Sequence, residues 1–203
     1  MISSALEHLK KGHLVIFPTD TLYGIGCSIN SESSIKRLYK VRKTPLAKPT
    51  LILTSDLEQT SDYGYFSNNA RDLATTFWPG PLTLITKAKN KVPKSIQGKG
   101  NTIALRIPKQ PPIISLIKKL GCPILAPSAN FHGLPAPTMF NKIDKELLAL
   151  VDYAIDISYL DNALDLVKIP STLIDISHDN IEIIREGTIS SQEVQKAQGG
   201  LRT

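Results

Sequence analysis

A chain of 203 residues with 41% hydrophobic and 21% charged content can bury one substantial core and is too balanced for a disordered or fibrous protein. Lys plus Arg exceed Asp plus Glu by 24 − 18 = 6, which favours an anionic partner such as nucleotide, RNA or an acidic surface without choosing among them. Cys27 and Cys122 form no CxxC pair, the four histidines have no metal-ligand spacing, and no apolar run nears the roughly 20 residues a bilayer span needs.

The opening Met-Ile-Ser-Ser-Ala carries no signal-peptide pattern, so a cytoplasmic protein without membrane contact is expected, its cysteines small buried hydrophobes. Ala5, Leu6 and Leu9 predict a helix over residues 3–11, stopped at Gly12. Residues 14–17 read as a buried strand ended by Pro18, and residues 19–26 as a turn rich in hydroxyls and glycine. That turn has neither GxGxxG nor GxxxxGK[ST] spacing, which excludes both standard phosphate cradles.

Ile35, Leu38 and Tyr39 make one apolar stripe and predict a helix over 31–41, capped at Asn30 or Ser31. Lys36, Arg37, Lys40, Arg42 and Lys43 crowd its end. They suit the negative end of the helix dipole, and five cations within eight residues equally suit an anion site. Further strands are expected over 48–54, 82–88, 101–108, 153–157, 170–176 and 181–185, and helices over 69–77, 111–120 and 142–150. The basic loop 87–100 is a candidate mobile lid, and residues 158–168 carry no clear pattern. Ser190-Ser-Gln-Glu193 is a capping box for a peripheral terminal helix whose last five residues are expected to fray.

The stretch from Cys122 to Thr138 is a short apolar strand, Pro123 to Ala126, broken at Pro127. Ser128 and Asn130 follow at a spacing of two, then Gly133, Pro135 and Pro137 exclude regular structure. Alone it is as well explained by an ordinary turn. Polar residues recur at other strand ends, however: Thr21, Arg106, Ser128, Ser171 and Arg185. Arg106 lies in an apolar strand and needs an anion or, more commonly, a protein carboxylate. Alternating strands and helices without a linker predict a single α/β domain over residues 1–203 around a mostly central sheet.

Phe17-Pro-Thr-Asp-Thr-Leu-Tyr-Gly-Ile-Gly26, Trp78-Pro-Gly-Pro-Leu-Thr83, Arg106-Ile-Pro108, Pro127-Ser-Ala-Asn130, Pro170-Ser-Thr172 and Arg185-Glu-Gly187 stand in the order found in one family. The chain resembles the YrdC-like threonylcarbamoyl-AMP synthases, in a short form without their extra C-terminal domain, and this implies a twisted, mostly central mixed sheet flanked by helices with a concave basic ligand site. That resemblance implies a nucleotidyltransferase that joins L-threonine, bicarbonate and ATP, with Mg²⁺ on the triphosphate and no metal ligand from protein side chains. It further implies that a separate threonylcarbamoyl-transfer complex delivers the product to tRNA.

By the same resemblance, Lys40 and Arg42 act with Ser128 and Asn130 in catalysis. Thr21, Arg106, Ser128 and Ser171 hold threonine, while Lys40, Arg42, Lys48, Thr102, Asn130, Thr138 and Arg185 hold ATP. Lys43 stands where the family usually has proline. Two other readings compete: a non-catalytic tRNA or double-stranded RNA binding module, suggested by the basic balance, and a carbamoyl-adenylate enzyme fed by carbamoyl phosphate. Weak tRNA or double-stranded RNA contact is also compatible with the enzyme.

Overall fold

The structure, a computed structural model, describes residues 1–45, 50–158, 169–178 and 180–199. Lys48, residues 159–168 and the terminal residues 200–203 lie outside the described residues.

Among the described residues, nine strands form one mixed sheet in the order β7-β1-β2-β6-β3-β5-β4-β8-β9. They are β1 (Val15–Pro18), β2 (Tyr23–Ser28), β3 (Leu51–Leu53), β4 (Leu82–Lys87), β5 (Thr102–Arg106), β6 (Ile124–Leu125), β7 (Tyr153–Ala154), β8 (Thr172–Asp175) and β9 (Glu182–Arg185). The helices are α1 (Ile2–Lys10), α2 (Glu32–Val41), α3 (Leu57–Ser61), α4 (Asn68–Phe77), α5 (Pro111–Leu120), α6 (Lys145–Ala149) and α7 (Ser191–Gly199). The expected α/β architecture with a central mixed sheet is therefore present.

The pleat sorts the side chains. Ile52, Leu84, Leu105 and Leu125 alternate onto one face and are fully buried. Each contributes about 1.5–3 kcal/mol by leaving water. The opposite face carries a different row. Leu51 pairs with Ala104, Leu53 with Arg106, Thr83 with Leu173, and Leu173 with Arg185. Because side-chain direction has period two, that register lays Leu51, Leu53, Ala104, Arg106, Thr83 and Leu173 side by side.

Residues 19–26, expected as a turn, are half strand: β2 pairs antiparallel with β1, with Phe17 opposite Gly24 and Pro18 opposite Tyr23. A Cβ on Gly26 would lie 2.2 Å from the Leu125 carbonyl oxygen, so only glycine lets β6 approach here. Ser31 caps α2 by accepting from the Ser34 N–H, as the sequence predicts. Pro111 opens α5 and Gly121 closes it at φ 78°. The capping box at α7 forms: the Ser190 N–H and hydroxyl both donate to Glu193 Oε2, at 2.9 and 2.7 Å. Val194 then seats α7 against α4. The helix expected over 142–150 is shorter, a 3₁₀ turn at Phe140–Lys142 followed by α6.

The basic segment 87–100 is not a free lid. Val92 and Ile96 are buried, and the Ala88 N–H donates to Asn101 O at 2.8 Å. Lys89 Nζ donates to Ser61 O at 2.7 Å, and Lys91 pairs with Asp62 at 2.8 Å. Two buried apolar anchors outweigh the glycines and charges that suggested mobility. Among the described residues no helix is long and apolar enough to cross a membrane.

Candidate active site

A cavity of about 320 Å³ lies on the face of the sheet that carries Leu51, Leu53, Ala104, Arg106, Thr83 and Leu173. Its walls come from strand ends and joins: Thr21 from the β1–β2 turn, Ser128 after β6, Thr83 at the start of β4, Ser171 just before β8. Three guanidinium groups face it, Arg42 after α2, Arg106 at the end of β5 and Arg185 at the end of β9.

Arg106 is 3% exposed. Its Nη2 donates to Asp20 Oδ1 at 2.7 Å, Nη1 to Thr21 Oγ1 at 2.8 Å and Nε to Gly80 O at 3.0 Å. Burial presses its pKa down and Asp20 opposes that shift, so the ion pair keeps the cation charged. Arg42 is nearly as enclosed. Burial lowers it to about 10, with Tyr39 acting in the opposite direction, and it stays fully charged at neutral pH. Arg42 Nε donates to Asn130 O at 3.1 Å and Nη1 to Thr44 Oγ1 at 3.1 Å. The Lys-x-Arg and Ser-x-Asn stretches are thus in contact.

Arg185 is differently held. Its Nη2 and Nε both donate to the Ser171 carbonyl, at 2.9 and 3.3 Å, and its side chain is otherwise open to solvent at the cavity mouth. Gly187 makes this possible, since a Cβ there would stand 2.1 Å from Pro170 O. The Ser171 hydroxyl pairs with Thr83 Oγ1 at 2.7 Å.

Six residues singled out in the sequence therefore line one cavity: Thr21, Arg42, Arg106, Ser128, Ser171 and Arg185. Four others stand elsewhere. Asn130 touches Arg42 through its backbone. Its side-chain Nδ2 turns back to Phe131 O and Leu134 O, at 2.9 and 2.6 Å, and Oδ1 is buried without a partner. Thr138 follows Pro137, whose carbonyl accepts from the Tyr23 N–H at 3.1 Å, and does not line the cavity. Thr102 begins the strand that Arg106 ends and donates to Lys99 O at 3.1 Å.

Lys40 lines a second hollow of about 650 Å³ beside α2. Lys36, Lys43 and Lys94 line it too, and Thr44 belongs to the walls of both hollows. Lys43 adopts φ 53°, a value closed to proline, and its Nζ lies 4.7 Å from the centre of the Phe131 ring.

Sequence reasoning passed over Asp20, Thr44, Thr83 and His132, of which the last three line the cavity. Asp20 had one available signal, the expectation that Arg106 needs a carboxylate; nothing local joined two residues 86 positions apart. Among the described residues no group of three His, Cys, Asp or Glu could hold a metal ion. Cys27 and Cys122 are buried free thiols, and burial raises Cys27 to about 12.

Residues 7–187 match the Sua5/YciO/YrdC family, described as "Telomere recombination". A putative threonylcarbamoyl-AMP synthase of Methanocaldococcus jannaschii is 37% identical over 94% of this chain and 89% of its own length. The threonylcarbamoyl-AMP synthase of Pyrococcus abyssi is 32% identical over 99% of this chain, which spans only 58% of that longer protein. The crystal structure of P. abyssi Sua5 complexed with L-threonine superposes with a TM-score of 0.89, covering 98% of this chain and 57% of that one. Escherichia coli YciO, 29% identical and similar in length, gives 0.84 over 95% of this chain and 92% of its own. A match that spans all nine strands and all six sequence motifs leaves one conclusion: the chain belongs to the Sua5/YciO/YrdC family.

Proposed function

We propose that the protein is a cytoplasmic L-threonylcarbamoyladenylate synthase, making threonylcarbamoyl-AMP and pyrophosphate from L-threonine, bicarbonate and ATP. The product would pass to a transfer complex acting on tRNA. The observation that carries this reading is the cavity itself: three arginines from separate elements converge on a hydroxyl-lined hollow. Such a wall suits two anions held against each other. The names of the M. jannaschii, P. abyssi and Bacillus subtilis relatives support it independently.

The chemistry asks little of proton transfer. The threonine amine adds to CO₂ from bicarbonate to give a carbamate. A carbamate oxygen then bonds to the α-phosphorus, and the bond to the β-phosphate bridge breaks with its electron pair leaving on pyrophosphate. The nucleophile is already an anion, so rate comes from holding both anions in line and stabilising the charge on the phosphoryl oxygens. Arg106 takes the threonine carboxylate, with the Thr21, Ser128 and Ser171 hydroxyls around the rest of the amino acid. Arg42 and Arg185 take the nucleotide, and Asn130 fixes Arg42 through its carbonyl.

The triphosphate runs past Thr44, the wall common to both hollows, so that its terminal phosphates meet Lys40, Lys43 and Lys94. Asp20, the carboxylate beside the cavity, is committed to Arg106. This donor set fits a Mg²⁺ carried by phosphate oxygens and water rather than by side chains. Bound there, the ion would neutralise phosphate charge.

Purified protein is expected to release pyrophosphate from ATP only when threonine and bicarbonate are both supplied. Release that ignores threonine, or that carbamoyl phosphate supports in place of threonine and bicarbonate, would overturn the assignment.

A further inference from the structure

We propose that Asp20 is a positioning residue for amino-acid recognition: its carboxylate fixes the plane of the Arg106 guanidinium so that the unused donors face the substrate carboxylate. The inference rests on the function proposed above and goes one step behind the residues it names. Asp20 does not line the cavity, yet it makes the shortest of the three bonds that hold Arg106. Guanidinium is planar and carries five N–H donors in a fixed fork. Bonds to Gly80 O, Thr21 Oγ1 and Asp20 Oδ1 occupy one donor on each nitrogen and fix the plane at three points. One N–H on each terminal nitrogen remains for a substrate carboxylate.

The turn that carries Asp20 is itself locked. The Thr19 hydroxyl donates to Leu22 O at 2.7 Å and accepts from the Thr21 and Leu22 N–H groups, both at 3.2 Å. Thr21 Oγ1 lies 3.1 Å from Thr19 Oγ1 and accepts from Arg106 Nη1, so this one turn grips both terminal nitrogens of the guanidinium, through Thr21 and Asp20. Arg106 carries the positive charge that a substrate carboxylate needs, and its aim depends on Asp20.

A positional role and a purely electrostatic one predict opposite signs. Asp20 is negative and close, so removing its charge alone strengthens the field on a substrate anion. Loss of position weakens recognition whatever the charge. The experiment compares kcat/KM for L-threonine with that for L-threoninamide, which keeps the amine and hydroxyl and lacks the carboxylate, in the wild type, Asp20→Asn and Asp20→Glu. The ratio of the two is expected to fall at least about tenfold in both variants, the scale of one misplaced charged hydrogen bond, while KM for ATP stays unchanged. Asp20→Glu keeps the charge and shifts the contact, so it separates the two roles even if Asp20→Asn folds poorly. A retained ratio, an equal loss for both substrates, or tighter threonine use by Asp20→Asn overturns the proposal. A wild type that uses threonine and threoninamide equally also overturns it, whereas a wild type that needs no amino acid at all refutes the parent function.

Discussion

Arg106 and Lys40 serve two hollows that meet at Thr44, and the protein holds them by opposite means. Arg106 is almost fully buried and gives one bond each to a carboxylate, a hydroxyl and a carbonyl. Lys40 sits on the exposed face of α2 and forms no ion pair among the described residues. A desolvated, three-point cation reads the direction of a small anion, at the cost of stripping its hydration. Solvated lysines read only charge, and they bind a multivalent anion loosely enough for it to leave. Under the proposed function, the contrast matches a substrate that must be placed and a pyrophosphate that must be released.

Breaking the buried side should have the largest effect. Arg106→Ala leaves Asp20 enclosed without its partner, so unfolding free energy is expected to fall by about 3–5 kcal/mol in denaturant titrations. The folded fraction should lose threonine-dependent pyrophosphate release by about a hundredfold or more, while nucleotide binding, which the proposed function gives to Arg42 and Arg185, should decline far less. Equal loss of threonine and ATP would mean that the two anions share Arg106.

Breaking the solvated side should leave the fold intact. Lys40→Ala removes no buried contact, so stability should change by no more than about 0.5 kcal/mol. Turnover should nevertheless fall by about fivefold, the scale of one solvated charge, with KM for threonine unchanged. Full activity in this variant would remove the lysine-lined hollow from the reaction.

How much of this was legible in the sequence follows from range. The strands with continuous apolar runs and the helices with caps, α2 at Ser31 and α5 between Pro111 and Gly121, declare themselves locally. Strand β2 does not, because the glycines that let it pack against β6 are the same residues that signal a turn. Helix α3, five residues capped by Asp56, is too short to show a period. The polar strand ends pointed to one site, and all five of those residues line it, joined by Arg42 from the end of α2. Their convergence is set by register across β6, β3, β5, β4, β8 and β9, which no local pattern contains. Asp20 looked like an ordinary turn residue for the same reason.

The comparison of buried with solvated groups extends to pH. Burial holds the Cys27 thiol protonated to about pH 12, while an unfolded thiol ionises near pH 8.5. The folded pKa is raised, so this stabilisation is fully present below the unfolded pKa and is lost as pH rises towards 12. In that window the unfolded chain binds fewer protons than the native state. Stability should therefore drop with a slope of up to about 1.4 kcal/mol per pH unit from this group. Unfolding titrations at pH 8, 9 and 10 should show the decline, and Cys27→Ala should flatten it.

The smallest expected effect tests the outer rim of the lysine hollow. Lys94 stands on the 3₁₀ turn Lys94–Ile96, and its Nζ reaches only Gln97 Oε1, at 3.4 Å, while Gln97 Nε2 donates to Val92 O at 2.9 Å. Ile96 buries the base of that turn, so the lysine is presented from a rigid support although its head is in water. Lys94→Ala should raise KM for ATP only about two- to fivefold, since one solvated charge contributes about 1 kcal/mol or less. At 0.15 M ionic strength screening acts over about 8 Å, and at 1 M over about 3 Å. The difference between wild type and Lys94→Ala should accordingly vanish in high salt, whereas the threonine defect of Arg106→Ala should persist there. If both defects respond to salt alike, Arg106 is no more desolvated in function than Lys94, and the division of labour between the two hollows fails.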